Sequence, residues 1–365
     1  MMDYRIGVIT PTERDDFYCD TVLDGLSELK KEHPGLEFRY PEYYPHPFGG
    51  DFKARYGLAK DTFVEFARQA DVLILSYGKY GTDFEFVENL NAWDKTVYVD
   101  GSEIGKDKWR DPTLQYQIIS GEYKGRGAPN KEMQKKCPLY FRREKPYANG
   151  IYGERSRTTC GERSRTTCGE RSRTMIPFPL GIESRFMRYY EPGKKKDIDF
   201  SAMFGQELYP LTRRYTRELT EAFCKKNGFV CHTEKTYRLP LIKRGPYSPE
   251  KSYEIWARTK VGICTGAAGY DSRRFWEILG NNCLIIAERI DLYEPDSDAL
   301  NFKRIFQYNN LYDFEYQLEK VGEFLRSGYN QEDLEAEYQE ILKRHSTKAR
   351  VMTIINEAQK IGLLR

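Results

Sequence analysis

The chain has 365 residues, more than one ordinary hydrophobic core accommodates, and it fits two domains of roughly 150 residues each. Its 28 Tyr, 20 Phe and 4 Trp supply enough large side chains to fill two cores, although 31% of the residues are charged. The net charge of +3 comes from one segment, 153–174, and the rest carries 52 basic and 52 acidic residues. This balance argues against a broad nucleic-acid-binding face, which needs clustered Lys and Arg.

The eight cysteines predict free thiols in a reducing compartment. None forms a Cys-x2-Cys pair or a His spacing that favours zinc, and several lie in apolar runs such as Val261–Cys264. No apolar stretch approaches the roughly 20 residues that span a bilayer. We therefore expect a cytoplasmic protein without an integral membrane segment and without a bound metal.

The first half alternates short apolar runs with amphipathic stretches. This rhythm predicts βαβ units and one Rossmann-like domain over residues 1–150. The predicted strands are continuous and β-branched, as in a parallel sheet covered on both faces. In chain order, the elements are a strand at Arg5–Ile9, a helix at Phe17–Glu32, a strand at Leu36–Tyr40, a helix at Lys60–Gln69, and strands at Asp71–Ser76 and Thr96–Asp100.

An exact tandem repeat separates the two halves, and we treat residues 151–175 as an insertion. The unit Gly-Glu-Arg-Ser-Arg-Thr-Thr-Cys occupies 153–160 and 161–168, with a truncated copy at 169–174. Eight residues without a large apolar side chain cannot stack into a buried solenoid core. The repeat predicts a tolerant surface loop, and the alternative is a basic arm that touches an acceptor, a phosphate or nucleic acid.

The second half restarts the same rhythm. Strands are predicted at Asp197–Gly205, Phe229–His232, Val261–Thr265 and Cys283–Glu288, with helices at Leu211–Lys226 and Ser272–Leu279. From Leu311 the chain is helix-rich. We predict a second domain over 176–345 and a C-terminal helix at 346–365 that packs back on the first.

The stretch from Lys260 to Ala287 is typical of a strand, a Gly-rich loop, a helix and a strand. Gly266 and Gly269 let the backbone approach a ligand, and Ser272 is suited to cap the helix, whose first amides favour phosphate. Arg274 and Glu277 are three residues apart and share one face of that helix, where they can contact separate parts of a ligand or form a surface ion pair with each other.

Arg274-Phe-Trp-Glu277-Ile-Leu-Gly280 resembles the donor domain of GT-B glycosyltransferases of the family-1-like and exostosin-like groups. Asp197–Gly205 resembles the first strand and glycine turn of that domain, and Ile176–Glu183 its interdomain crossing. The resemblance covers most of residues 176–350. It implies an α/β fold with two Rossmann-like domains facing a cleft (GT-B), with a helical C-terminal tail.

The resemblance further implies a transferase whose donor is a nucleotide-diphosphate sugar and whose acceptor is an unknown hydroxyl. Glu277 would accept hydrogen bonds from the ribose hydroxyls, while Arg274 and the loop amides would stabilise the diphosphate. Fixed guanidinium groups and helix amides serve this purpose without a metal or other cofactor. The predicted donor-binding residues are Gly205, Arg213, Arg214, Gly269, Asp271, Ser272, Arg274 and Glu277.

The catalytic base and the stereochemistry stay open. Retaining members often carry another Glu eight residues before the ribose-binding one, where this chain has Gly269. An inverting enzyme needs a base from the first domain, and the candidates are Asp15, Asp16 and His46. The acids serve equally well as solvated charges or as an N-cap for the helix at Phe17. His345 is expected on a charged surface helix.

Two other classes compete with the transferase. An oxidoreductase would also use Rossmann-like domains, but the loop after Ile9 lacks a Gly-x-Gly-x-x-Gly pattern. A degenerate transferase that only binds a nucleotide or a protein is the second alternative. The intact Arg274 and Glu277 favour the enzyme.

Overall fold

The structure is a computed structural model, in which the chain divides into two compact units. The first unit contains Met1–Leu180 and Thr347–Arg365, and the second contains Gly181–Asp291 and Ser297–Ser346. The predicted Asp15, Gly205 and the tandem repeat at 153–174 lie outside the described residues. The described residues are 2–11, 16–76, 81–103, 111, 113–114, 117, 123–124, 127–144, 175–204, 210–234, 249–266, 269, 271–290 and 299–365.

The first unit is built on a seven-stranded sheet in the order β3-β2-β1-β4-β5-β6-β7, with every neighbouring pair parallel. The central strands β1, β4 and β5 are almost entirely buried, which explains their apolar, β-branched sequences. The strands are β1 (Arg5–Ile9), β2 (Glu37–Pro41), β3 (Gly57–Leu58), β4 (Val72–Ser76), β5 (Thr96–Asp100), β6 (Leu139–Arg142) and β7 (Met175–Pro177).

Helices connect these strands as the predicted βαβ rhythm requires. The predicted helices at Phe17–Glu32 and Lys60–Gln69 are found with the same bounds. The helices are α1 (Phe17–Glu32), α2 (Gly50–Tyr56), α3 (Lys60–Gln69), α4 (Gly81–Leu90) and α5 (Lys131–Lys136). A short 3-10 turn, Trp93–Lys95, precedes β5.

The second unit contains a five-stranded parallel sheet in the order β12-β11-β10-β8-β9. Its core joins the strands to the α9 helix through buried apolar side chains that include Phe200, Ile263 and Leu318. The elements are a 3-10 turn (Ser184–Met187), β8 (Ile198–Ala202), α6 (Thr212–Asn227), β9 (Cys231–Thr233), α7 (Pro249–Arg258), β10 (Thr259–Cys264), α8 (Arg273–Gly280), β11 (Leu284–Glu288), β12 (Ile305–Tyr308), α9 (Leu311–Ser327) and α10 (Glu335–His345).

The last helix, α11 (Thr347–Lys360), belongs to the first unit and packs on α1. The Thr347 hydroxyl donates to Asp24 Oδ2 at 2.6 Å. Gly25 allows close approach, because an added Cβ would overlap the Thr347 backbone oxygen. The α/β class with two Rossmann-like sheets is therefore confirmed.

The strand order locates a ligand crevice in the second unit. The first strand, β8, lies between β9 and β10, so the connections after β8 and β10 leave on opposite faces of the sheet. In open parallel sheets such a reversal forms a crevice outside the carboxyl ends of the strands. The loop that follows β10, from Thr265 to Ser272, therefore lies where ligands of this fold bind.

Candidate functional site

The α8 helix begins directly at this crevice. Ser272 occupies the N-cap position of this helix, as expected, but its side chain makes no capping hydrogen bond. Asp271 connects the loop to the helix instead, because its Oδ1 accepts from Trp276 Nε1 at 2.8 Å. Asp271 is only 1% exposed. A buried acid therefore fixes the loop before α8.

The Ser272 backbone is extended, with φ −98° and ψ 130°, which is the conformation expected of a residue that precedes a helix. The Phe275 amide donates to the Ser272 carbonyl at 3.0 Å and closes the first turn. The start of α8 is thus held by backbone contacts and by Asp271.

Glu277 and two arginines form a partly buried cluster on α8. Glu277 Oε2 accepts from Arg274 Nη1 at 2.6 Å, and Glu277 Oε1 lies 3.2 Å from Arg273 Nε. The Glu277 side chain is 9% exposed and that of Arg274 is 21% exposed. The structure thus pairs Arg274 with Glu277, and the assignment of separate ligand groups to the two side chains stays a prediction.

Aromatic side chains enclose this cluster. The Arg274 guanidinium carbon lies 5.4 Å from the Trp256 ring centroid, and that of Arg273 lies 5.0 Å from the Phe186 centroid. Arg273 Nη2 also donates to the Tyr253 hydroxyl at 2.6 Å. Such contacts fix the guanidinium planes, so the cluster is more rigid than an ordinary surface ion pair.

The two arginines predicted on α6 differ in position. Arg213 Nε donates to the Gly266 carbonyl at 3.3 Å, so the structure brings Arg213 to the loop that follows β10. Burial lowers the pKa of Arg213, and the nearby charge of Arg274 lowers it further. Arg214 instead pairs with Glu218 at 2.8 Å, with its side chain 55% exposed. A guanidinium group near the loop is therefore supplied by Arg213.

Buried polar groups support the start of the same loop. The Gly266 amide donates to Glu288 Oε2 at 3.2 Å, and the Thr265 hydroxyl lies 2.8 Å from that of Tyr308. Glu288 ends β11, so its carboxylate reaches the neighbouring loop along the sheet edge. Sequence reasoning missed Glu288, although an acid that ends an apolar strand was an available signal.

Glu234 is a second acid that sequence reasoning missed. It follows β9 directly, is 8% exposed, and its Oε1 atom is buried without a hydrogen-bond partner among the described residues. Burial raises the pKa of Glu234 to about 7, while the charge of Arg274 opposes that rise. Its position after the second strand of the unit was the signal that could have revealed it.

Two of the three base candidates, Asp16 and His46, have structural partners. Asp16 is the N-cap of α1 and accepts from the Tyr18 amide at 2.8 Å, which is the capping alternative. His46 lies among aromatic rings, and its Nδ1 accepts from the Phe48 amide at 3.1 Å. Burial lowers the pKa of His46, and the charge of Lys53 adds to this effect. No catalytic role follows from these contacts.

His345 is buried, so the expectation of a surface residue is wrong. It is 2% exposed, and its Nε2 lies 2.7 Å from the Ala299 carbonyl. Its ring packs against Trp276 of α8, with 5.4 Å between the centroids. His345 therefore packs against the buried side of α8.

Within the part of the chain that the structure describes, no three or more His, Cys, Asp or Glu side chains are grouped as metal ligands would be. The helices in that part are also too short or too polar to cross a membrane. The six cysteines there are free thiols.

No protein-family model and no curated protein sequence matches this chain. Among solved structures, a glycosyltransferase from Rickettsia africae ESF-5 has a TM-score of 0.55 and 11% identity, covering 98% of this chain and 98% of that chain. A DNA-modifying β-glucosyltransferase solved with and without uridine diphosphoglucose has a TM-score of 0.47 and 15% identity, covering 97% of this chain and 99% of that one.

A GtfA/B complex has a TM-score of 0.41 and 11% identity. The match covers 83% of the present chain, which spans 61% of the length of the matched chain. At such identities, similarity shows the fold alone, and the Rickettsia africae structure carries that conclusion. The narrower family-1-like or exostosin-like grouping stays a prediction. The chain has the GT-B glycosyltransferase fold.

Proposed function

We propose that this protein is a glycosyltransferase that moves a sugar from a nucleotide-diphosphate donor to a hydroxyl acceptor. The observation that carries the proposal is the Glu277 carboxylate between Arg273 and Arg274 at the start of α8. This cluster lies on the helix that begins at the crevice of a doubly wound parallel sheet. A nucleotide bound there would meet one fixed acid and several fixed cations.

Each group has a role in this proposal. Glu277 accepts hydrogen bonds from the ribose hydroxyls, because an ionised carboxylate forms stronger hydrogen bonds than a neutral acceptor. Arg274 and Arg213 stabilise the diphosphate, and the amides at the start of α8 add a favourable field for anions. Charge grows on the diphosphate as the sugar leaves, so these fixed groups stabilise the transition state more than the ground state.

The arginines also underlie our expectation of metal-independent turnover. Guanidinium groups can balance the charge of a leaving diphosphate without a divalent cation. The Rickettsia africae protein supports the proposal only through the shared fold.

The test uses a Glu277→Ala variant. Removing the carboxylate should weaken nucleotide-sugar binding and turnover by roughly tenfold or more, because a charge-assisted hydrogen bond is worth about 1.5–3 kcal/mol. The measurement is release of nucleoside diphosphate from UDP-, GDP- and dTDP-linked sugars. Glu340→Ala is the matched control, because Glu340 also pairs with an arginine on a helix, Arg344, at 2.6 Å, but on an exposed surface.

Three outcomes separate the competing classes. Loss of turnover in Glu277→Ala with normal turnover in Glu340→Ala supports the proposal. Nucleotide binding without turnover in the wild type would favour a degenerate, non-catalytic transferase. Thermal stabilisation by NAD alone would favour an oxidoreductase and contradict the proposal.

A further inference from the structure

Glu234 lies at the same sheet edge as the proposed donor site, where the proposed function gives it no role. It follows β9, and its amide donates to the carbonyl of Ala202, the last residue of β8, at 3.3 Å. Glu234 therefore stands beside the carboxyl end of β8, on the side of that strand away from β10. Glu234 thus lies at the same carboxyl edge as the crevice, with β8 between it and the loop that follows β10.

One oxygen of the Glu234 carboxyl group, Oε1, is buried without a hydrogen-bond donor among the described residues. The residue is 8% exposed, and no described residue donates a hydrogen bond to its Oε1 atom. Arg274 lies near enough to act on Glu234 electrostatically, but its hydrogen bond goes to Glu277. A buried polar atom without a partner is uncommon and costly, and a bound ligand can supply the missing donor.

The place of Glu234 indicates which part of a nucleotide it would meet. In doubly wound dinucleotide-binding units, an acid that follows the second strand contacts the nucleoside at its ribose, while a helix that starts at the crevice takes the phosphates. Here β9 is the second strand of the unit, and α8 supplies the helix start. With Glu277 proposed for the ribose, the nucleobase is the remaining part of the nucleoside.

We infer that Glu234 binds the nucleobase of the donor and selects guanine. The inference rests on the proposed function. Guanine offers two adjacent donors, N1–H and the N2 amino group, and hydrogen bonds from such donors favour the ionised carboxylate, which offers acceptors only. Uracil and thymine offer one N–H flanked by two carbonyl oxygens, which repel a carboxylate. Guanine is therefore the base whose edge matches Glu234 with two hydrogen bonds.

The test is calorimetric titration of the full chain with three nucleotides: GDP, UDP and xanthosine diphosphate. Wild type should bind GDP more tightly than UDP by about tenfold or more, as expected for a charge-assisted pair. Glu234→Gln should lose GDP affinity by a similar factor. The same variant should gain affinity for xanthosine diphosphate, because the amide donates to the O2 atom that replaces the N2 amino group.

This gain is a result that a misfolded variant cannot give. The inference is overturned if wild type binds UDP as tightly as GDP, or if Glu234→Gln leaves the preference unchanged. Glu277→Ala separates the two claims. If it weakens UDP binding while Glu234→Gln has no effect, the donor site stands and the inference falls. If none of the three nucleotides binds to wild type, both the donor site and the inference fall.

Discussion

At the scale of single residues, the Glu277 cluster is better explained by binding than by stability. Its carboxylate is 9% exposed and has Arg273 and Arg274 as partners. Removing such charges from water costs about as much as their attraction returns, so a buried ion pair contributes little net stability. A fixed carboxylate beside fixed cations is instead what recognition of a ribose and a diphosphate requires.

Glu234 makes the unfolding free energy depend on pH. Burial raises the pKa of Glu234 to about 7, above the ordinary 4.5. The folded chain then binds more protons than the unfolded chain between these values, so this contribution to stability is present at acidic pH and is lost as pH rises toward 7. The loss is on the order of 3 kcal/mol.

Glu234→Gln should therefore flatten the pH dependence of stability. Urea denaturation at pH 5 and pH 8 measures the difference between variant and wild type at each pH. The variant should gain stability relative to wild type at pH 8 and lose that gain at pH 5. An equal difference at both pH values would contradict the assigned pKa.

Only part of the site could be predicted from the residues. Arg274 and Glu277 could be predicted as site residues because they stand three residues apart in one sequence motif. Their spacing left open whether they pair with each other or contact a ligand, because helix geometry alone permits both. Glu234 was missed because its burial depends on elements elsewhere in the chain, including Ala202, 32 positions earlier.

At the scale of elements, α8 is held at both ends and along its face. Gly262 of β10 lets α8 approach, because an added Cβ would lie 2.6 Å from Ile278 Cγ2. At the C-terminal end of α8, Lys196 Nζ donates to the carbonyls of Asn281 at 2.6 Å and Asn282 at 3.1 Å. A buried ammonium group thus satisfies carbonyls just beyond the end of α8.

Lys196→Met should remove this support. Several buried carbonyls, including that of Thr259 at 2.8 Å, would lose their donor. The expected loss of unfolding free energy is roughly 2–4 kcal/mol, and donor affinity should fall because α8 moves. Urea denaturation and nucleotide titration measure both effects.

Lys195→Met is the matched control, because Lys195 is the exposed neighbour. It should change stability by less than about 0.5 kcal/mol. Equal stability of the two variants would show that Lys196 does not anchor α8.

Most elements followed from local pattern, and the exceptions have physical reasons. The α6 and α8 helices begin one residue after the predicted bounds. Apolar periodicity predicts the buried face of a helix but does not fix its first residue. The α7 helix was not predicted, although it buries Tyr253, Ile255 and Trp256. Its ten residues carry a short pattern that does not distinguish a helix from a strand.

At the scale of the whole molecule, the chain leaves the second unit after α10 and completes the first unit with α11. Gly25 on α1 allows that packing, since an added Cβ would also lie 2.6 Å from Val351 Cγ2. The relationship depends on residues more than 300 positions apart. The sequence alone therefore supported it only through the family resemblance.

Gly25→Ala should destabilise the first unit by roughly 1–3 kcal/mol, because backbone atoms of α11 must shift. Gly50→Ala is the control, because an added Cβ there meets nothing within 4 Å. Urea denaturation compares the two variants. Equal stability would contradict the close packing of α1 and α11.

The most direct test of the central claim is a crystal structure of the protein with a bound nucleoside diphosphate. The account predicts the nucleotide at the carboxyl edge of the second unit, with the ribose hydroxyls on Glu277 and the diphosphate near Arg213 and Arg274. A nucleotide bound only in the first unit, or one that makes no contact with Glu277, would contradict it.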